Sequence, residues 1–131
     1  MHKTIDIAVC GAHMSGLPLN YQLTELNAVF VKATKTANGY RLFNVPQKVP
    51  PRPGMVRDTQ SDAQLELEVW SMPLENFGAF MVQIASPLCI GTVFLEDGSS
   101  VYGFLCEYDA IKDADEITGF GGWRAYLDSK Q

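Results

Sequence analysis

The sequence has few basic residues and no long apolar run. Ten lysines and arginines stand against fifteen aspartates and glutamates, which gives a formal net charge of -5. Because the basic residues are scattered, no basic surface is predicted that could neutralise a nucleic-acid backbone or an anionic membrane. No segment approaches the roughly 18 apolar residues of a membrane-spanning helix, and the first ten residues lack the basic and apolar parts of a secretion signal. We therefore expect a cytoplasmic protein that binds neither nucleic acid nor membrane.

Cysteine is also scarce, and its spacing does not match a metal site. Cys10, Cys89 and Cys106 are odd in number, far apart and without a Cys-x-x-Cys pair. Each lies in an apolar stretch, which is typical of buried, reduced thiols. The alternative is a catalytic thiol, for which Cys106 is the candidate because Glu107 follows it. The sequence predicts no metal and no cofactor.

Strand patterns dominate the chain. Apolar residues make up 47% and charged residues 19% of the sequence, an ordinary globular balance that predicts a single domain over residues 1–131. Strand-like stretches lie at residues 5–10, 28–34, 40–45, 65–70, 92–96 and 100–107. Helical patterns are limited to residues 20–26, 73–83 and 122–129. This order predicts an α+β fold: a small, mostly antiparallel bent sheet or barrel with a packed central helix.

Several local patterns sharpen this prediction. Asn38-Gly39 predicts a hairpin between residues 28–34 and 40–45, and Asp97-Gly98 predicts a second one between residues 92–96 and 100–107. Four prolines and a glycine within residues 46–54 predict an extended loop.

Two further patterns predict which side chains are buried. In residues 65–70, glutamates alternate with apolar residues, so Glu66 and Glu68 are expected on a solvated face. A stripe at helical spacing predicts a helix from Pro73 to Gln83 that packs on the sheet. Its members are Leu74, Phe77, Phe80, Met81 and Ile84.

The most informative stretch is GAHMSGLPLN, residues 11–20, directly after the first strand. Glycines let a backbone approach a ligand closely, and exposed N–H groups of a turn can hold a carboxylate or phosphate. His13 is the group of this turn that titrates near neutral pH. The Gly-x-x-x-x-Gly spacing lacks the Lys-Ser/Thr of a nucleotide loop, and it does not match the dinucleotide motif either.

Two long motifs carry a resemblance to a known family. GAHMSGLPLN and ITGFGGWRAYL, with the blocks between them, cover about residues 6–127. In these blocks the chain resembles the C-terminal domain of allophanate hydrolase, and through it the fold shared with γ-glutamylcyclotransferases. The resemblance implies a parent enzyme whose amidase domain converts allophanate to N-carboxycarbamate, which the C-terminal domain then decarboxylates. Because this sequence has no amidase signature, we expect a free-standing domain that carries at most the second step.

That step gives roles to specific residues. A dianion with two carboxylates must be held, and the nitrogen left by CO2 must be protonated. The resemblance assigns His13 as the catalytic residue, and proton donation is the role its chemistry suggests. Backbone N–H groups of the turn are expected to hold one carboxylate and two arginines the other. The predicted substrate-binding residues are Gly11, Ala12, Ser15, Gly16, Asn20, Arg41 and Arg124.

Each of these residues also has a purely structural alternative. His13 and Ser15 can be hydrogen-bonded turn residues, and Asn20 can be the N-cap of the helix that follows. Arg41 can be a solvated strand residue. Arg124 can cap a helix or stack on an aromatic ring.

Two other functions stay open at this point. The chain can be a non-catalytic partner or assembly subunit of a separately encoded amidase, or a γ-glutamylcyclotransferase-like enzyme. In the cyclotransferase family an acidic residue follows the central helix, whereas residues 84–91 of this chain, IASPLCIG, contain no carboxylate. The expected partners are thus a small dicarboxylate-like substrate and, in the assembly case, an amidase.

Overall fold

The computed structural model describes residues 3–45 and 48–131, which form eight strands and three short helices. In chain order they are β1 (Thr4–Val9), α1 (Tyr21–Thr24), β2 (Val29–Lys35), β3 (Tyr40–Val45), β4 (Arg52–Arg57), β5 (Glu66–Pro73), α2 (Phe77–Met81), β6 (Leu88–Phe94), β7 (Ser100–Cys106), β8 (Asp115–Glu116) and α3 (Trp123–Ser129). Turns of 3₁₀ helix lie at Leu74–Asn76, Tyr108–Asp113 and Thr118–Phe120.

The strands form two sheets, and the predicted α+β class is confirmed. The larger sheet has the order β2-β5-β1-β7-β6 and the smaller one β4-β3-β8. Five of the six pairings between these strands are antiparallel, and β1 runs parallel to β7. The edges β2 and β6 meet at one end, where Ala37 N donates to Phe94 O at 2.8 Å and Glu96 N to Lys35 O at 3.0 Å. In the described residues the larger sheet stays open, so it is a bent sheet and not a barrel.

The centre of the larger sheet is buried on both faces. Ile7, Ala8 and Val9 of β1 are all buried because β5 and β7 flank this strand and helices cover it. The core cluster joins them to one buried residue from each helix, Leu23, Phe80 and Trp123. By contrast the edge strand β2 is exposed along most of its length.

The central helix is shorter than predicted. β5 runs through Pro73, a 3₁₀ turn follows, and α2 begins only at Phe77. Of the predicted stripe, Phe80 is fully buried, and Phe77 and Ile84 pack against the core. Leu74, at 46% exposure, does not face the core, because it lies in the 3₁₀ turn and not on the helix.

One of the two predicted hairpins is present. Asp97-Gly98 joins β6 to β7, with Phe94 opposite Ser100 and Gly98 at a φ of 89°. Asn38-Gly39 does not form a hairpin, because β2 pairs with β5 whereas β3 pairs with β4 and β8. At this dipeptide the chain crosses from the larger sheet to the smaller one.

The proline-rich loop is also shorter than predicted. Residues 52–54 belong to β4, where Pro53 lies opposite Asn44. A proline is tolerated there because β4 is an edge strand and need not donate outward. Pro46, also in the predicted loop, lies outside the described residues.

The two sheets come close together where β4 passes the turn after β1. A Cβ atom on Gly11 would lie 2.3 Å from Cδ of Pro53, so only glycine fits this contact. A Cβ on Gly54 would lie 2.6 Å from the sulfur of Cys106. This approach brings Arg52 to the turn that carries His13. Among the helices that the structure describes, none is long and apolar enough to cross a membrane.

Candidate functional site

In the turn after β1, the carbonyl groups of residues 11–13 all accept hydrogen bonds. The carbonyl oxygens of Gly11, Ala12 and His13 accept hydrogen bonds from Met14 N at 3.0 Å, Leu19 N at 2.8 Å and Asn20 Nδ2 at 2.8 Å, respectively. Because a trans peptide places its N–H opposite its C=O, these bonds fix the directions of the Ala12 and His13 N–H groups.

The N–H groups of the same residues have no partner in the described chain. Within residues 3–45 and 48–131, no protein oxygen accepts a hydrogen bond from the backbone N–H of Gly11, Ala12 or His13. All three residues are buried, and buried N–H groups in proteins are almost always paired. The turn therefore has the donors of an anion site, in the place where the sequence predicts one.

His13 packs against two aromatic rings. It is only 4% exposed; its ring stacks on Phe104 at 5.0 Å between centroids and meets the edge of Phe80 at 5.6 Å. Its Nε2 faces Oε1 of Gln22 at 2.7 Å. With this oxygen as acceptor, Nε2 carries the proton of the neutral ring and Nδ1 is the basic nitrogen.

The surroundings of His13 favour its neutral form. Burial lowers the pKa of His13 below 6.5; the hydrogen bond to Gln22 acts in the opposite direction, and the positive charge of Arg52 lowers the pKa further. In the free protein at neutral pH, His13 is thus an uncharged imidazole.

A small cavity joins these groups. It has a volume of about 20 Å³ and is lined by residues of the turn after β1 together with residues of β4, β6 and β7. The lining residues are Cys10, Gly11, Ala12, His13, Arg52, Pro53, Leu88 and Phe104. Arg52 supplies a positive charge here. In the described ranges its guanidinium contacts the carbonyl oxygens of Val49 and Pro50, both at 3.3 Å, and no carboxylate.

Ser15 and Arg124, two of the predicted substrate-binding residues, are brought together by a third residue. Glu68 of β5 accepts hydrogen bonds from Ser15 N and Ser15 Oγ, both at 2.8 Å, and from Arg124 Nη2 at 3.0 Å. Trp70 Nε1 also donates to it at 3.0 Å. Glu68 is 6% exposed, so the prediction that it lies on a solvated face is wrong. Glu68 is buried because its strand, β5, lies inside the larger sheet between β1 and β2.

The donors around Glu68 stabilise its charged form. Burial raises the pKa of Glu68, but the hydrogen bonds from Ser15, Trp70 and Arg124 outweigh it, and the pKa lies below 4.5. Glu68 is therefore ionised at neutral pH, and the positive charge of Arg124 is already matched by it.

Arg41 lies in the smaller sheet and is also matched. Its Nε and Nη2 donate to the two carboxylate oxygens of Glu116 at 3.0 and 2.9 Å, and Nη1 donates to Asp58 at 3.4 Å. It lines a surface depression with Arg57 and Tyr108, apart from the cavity beside His13. Its predicted role in binding substrate remains a prediction that this position does not favour.

The last two predicted residues also have defined places. Asn20 precedes α1, but its side chain makes no capping bond and donates to the His13 carbonyl instead. Gly16 is exposed, at a φ of 79° that suits glycine.

The cysteines do not form a site. Cys10 and Cys106 are buried, whereas Cys89 is exposed, against the prediction of three buried thiols. Burial raises the pKa of Cys10 to about 12 and that of Cys106 to about 11, so both are thiols at neutral pH. Among the described residues, no group of three His, Cys, Asp or Glu side chains could hold a metal ion.

Sequence reasoning missed three residues of this region: Arg52, Gln22 and Glu68. Arg52 stands among prolines, which hid the start of β4. Glu68 stands in a regular alternation, which gives no sign of burial. Gln22 lies nine residues from His13. The predicted helix of residues 20–26 was the signal that could have placed the Gln22 side chain near His13.

The fold has a known class. A solved γ-glutamyl cyclotransferase superposes with a TM-score of 0.55 over 87% of this chain and 70% of that chain, at 13% identity. This likeness shows the fold alone and confirms the predicted γ-glutamylcyclotransferase-like architecture.

Sequence similarity identifies the family within this class. Residues 5–128 match the model of the allophanate hydrolase C-terminal domain, and the chain belongs to that family. It is 44% identical to the urea amidolyase of Saccharomyces cerevisiae over 129 residues, which are 95% of this chain and 7% of that protein. The chain thus spans less than a tenth of that relative's length.

Two solved structures are close in shape. Kluyveromyces lactis allophanate hydrolase matches with a TM-score of 0.94 and 38% identity, over 98% of this chain and 22% of that chain. The uropathogenic E. coli-specific protein c4763 matches with a TM-score of 0.90 and 34% identity, over 96% of this chain and 97% of that chain. The same fold therefore occurs both within a long chain and as nearly the whole of a short one.

Proposed function

We propose that this chain binds a small dicarboxylate at the turn of residues 11–16 and promotes decarboxylation of N-carboxycarbamate or a similar amidase product in urea and allophanate metabolism. One observation carries the proposal: the buried N–H groups of Gly11, Ala12 and His13 have no acceptor in the described chain, and they lie beside an imidazole and an arginine. Donors of this kind bind carboxylates when no protein acceptor competes. The family match supports the choice of substrate.

In this proposal the two carboxylates have different partners. The N–H groups of residues 11–13 hold one, and the guanidinium of Arg52 holds the other through charge-assisted bonds. Arg52 replaces Arg41 and Arg124 in this role because both of those arginines already contact carboxylates. The cavity of about 20 Å³ has room for one water. A dicarboxylate thus enters only when a side chain that closes the cavity moves, and Arg52, which is partly exposed, is the one we assign.

His13 then supplies the proton. The dianion of N-carboxycarbamate takes up one proton and gives CO2 and carbamate: the C–N bond breaks, its electron pair stays on nitrogen, and the nitrogen is protonated. His13 is neutral in the free protein, so the negative charge of the bound substrate must first raise its pKa and draw a proton onto Nδ1. Binding is therefore expected to be linked to proton uptake.

Assembly with a separate amidase is the second candidate. It is favoured by the lengths of the relatives, since this domain is 22% of the K. lactis allophanate hydrolase chain and 7% of the yeast urea amidolyase. In this case the chain would act through contact with the amidase, and His13 would be a structural residue. The cyclotransferase alternative gains no support beyond the shared fold.

One experiment separates the two candidates. The protein is added to an allophanate-cleaving amidase, and the release of CO2 is followed with the parent chain and with His13→Gln. Glu116→Gln is the control, because Glu116 contacts Arg41 in the smaller sheet. Decarboxylation predicts faster CO2 release with the parent and the control, and none of this gain with His13→Gln. A gain that survives His13→Gln supports assembly. No gain with the parent chain contradicts the decarboxylase proposal.

A further inference from the structure

Glu68 connects the two ends of the site turn. In the sheet it is paired with Val9, the last residue of β1, so it lies at the base of the turn. Its carboxylate reaches Ser15, six residues further along the chain, through both the N–H and the hydroxyl. One side chain thus connects the two ends of the segment that carries the N–H groups of residues 11–13.

The C-terminal helix completes this closure. Nη2 of Arg124 donates to Glu68 Oε2 at 3.0 Å and also to the Ser15 carbonyl oxygen at 2.6 Å. Both polar groups of the Ser15 backbone are therefore held, one by Glu68 and the other by Arg124. Trp70 Nε1 binds the same oxygen of Glu68 as Ser15 N, which leaves the carboxylate little freedom to turn.

We propose that Glu68 and Arg124 are positioning residues, which hold the turn of residues 11–16 in the conformation that binds a carboxylate. The inference rests on the proposed function for the identity of the ligand. Neither residue lines the cavity beside His13, so neither is expected to touch the substrate. They act through Ser15, whose fixed backbone limits the peptide groups of residues 11–14.

This role explains why a carboxylate is buried in a strand. An ionised side chain loses hydration when it is buried, and it is kept only where donors replace the water. If the pair were only structural, it would contribute to the free energy of unfolding of the whole domain. A positioning role adds a local effect on the turn, which can be measured apart from stability.

The test compares Glu68→Gln with Glu116→Gln, which breaks the other arginine–glutamate pair. Both are studied in the full chain, at a temperature where each is folded, by malonate titration and by amide hydrogen exchange. We expect Glu68→Gln to weaken malonate binding at least tenfold and to speed exchange at residues 11–15, with the β6–β7 hairpin unchanged. Glu116→Gln is expected to change neither.

Two further variants keep the inference falsifiable if Glu68→Gln does not fold. Arg124→Met is expected to speed exchange at residues 11–15, and Arg124→Lys, which keeps a charged donor, to restore part of the protection. Parent-like exchange at these residues in a folded Glu68→Gln or Arg124→Met protein overturns the inference. If the parent does not bind malonate, the proposed function fails, and the exchange result still decides whether Glu68 and Arg124 order the turn.

Discussion

The Arg124–Glu68 and Arg41–Glu116 pairs have the same chemistry and different surroundings. Their nitrogen–oxygen distances are 3.0 and 2.9 Å. The side chain of Glu68 is 9% exposed and joins a turn to a helix, whereas that of Glu116 is 42% exposed and joins neighbouring strands. A salt bridge in water contributes little, while a buried carboxylate depends on every donor it has. The comparison indicates that burial and connectivity, more than the ion pair itself, distinguish the two arginines predicted from the sequence.

The largest difference is expected when the carboxylates are removed. Glu68→Ala removes the acceptor of the buried Trp70 N–H and of the donors on Ser15 and Arg124, and we expect a loss of about 3 kcal/mol in the free energy of unfolding. Glu116→Ala is expected to cost less than about 1 kcal/mol. Urea unfolding of both variants measures this, and equal costs would contradict the comparison.

Removing the arginines should give a smaller difference of the same sign. Arg124→Met loses bonds to Glu68 and to the Ser15 carbonyl, and we expect a cost of about 2 kcal/mol, as for hydrogen bonds that involve a charged group. Arg41→Met breaks a more exposed pair and is expected to cost less than about 1 kcal/mol. Thermal and urea unfolding check the prediction; a larger cost for Arg41→Met would overturn it.

The structure explains how far the sequence could predict this arrangement. Local signals were sufficient where neighbours in sequence decide the outcome: the Asp97-Gly98 hairpin, the helix of residues 123–129 and the turn after β1 are all present. The hairpin predicted at Asn38-Gly39 is wrong because the flanking strands pair in different sheets, β2 with β5 and β3 with β4. A dipeptide cannot report which strand its neighbours will pair with.

The same difference between local and tertiary information explains why only part of the site was predicted. The turn and His13 are contiguous in sequence, so their proximity needs no tertiary information. Glu68 is buried only because β5 lies between β1 and β2, and Arg52 reaches the turn only because the smaller sheet packs there. Both facts follow from strand order, which alternation and proline content do not reveal.

Malonate binding should distinguish Arg52 from Arg41 and Arg124. Arg52 lines the cavity beside His13 and has no carboxylate partner among the described residues. Arg52→Met is therefore expected to weaken malonate binding by about tenfold or more, the value of one charge-assisted bond. Arg41→Met serves as the control and should leave binding unchanged. Calorimetry at matched ionic strength measures malonate binding by both variants. Weaker binding by Arg41→Met alone would place the site in the smaller sheet instead.

The smallest expected effect is on the pH dependence of stability. The pKa of Glu68 in the folded protein lies below its ordinary value of 4.5. The unfolded chain therefore takes up this proton at a higher pH than the folded protein does. The stability that Glu68 contributes is complete above pH 4.5 and is lost as the pH falls below it. The difference in unfolding free energy between the parent and Glu68→Gln should narrow in acid; a gap that widens there would contradict the prediction.

We propose that the backbone N–H groups of Gly11, Ala12 and His13 bind a carboxylate. The most direct test of this proposal is the amide NMR spectrum of the isotope-labelled protein during a malonate titration, at constant ionic strength. We expect the largest saturable shifts at the amides of these three residues, with little change around Arg41 and Glu116. Saturable shifts confined to the smaller sheet, or no saturable shift at residues 11–13, would contradict it.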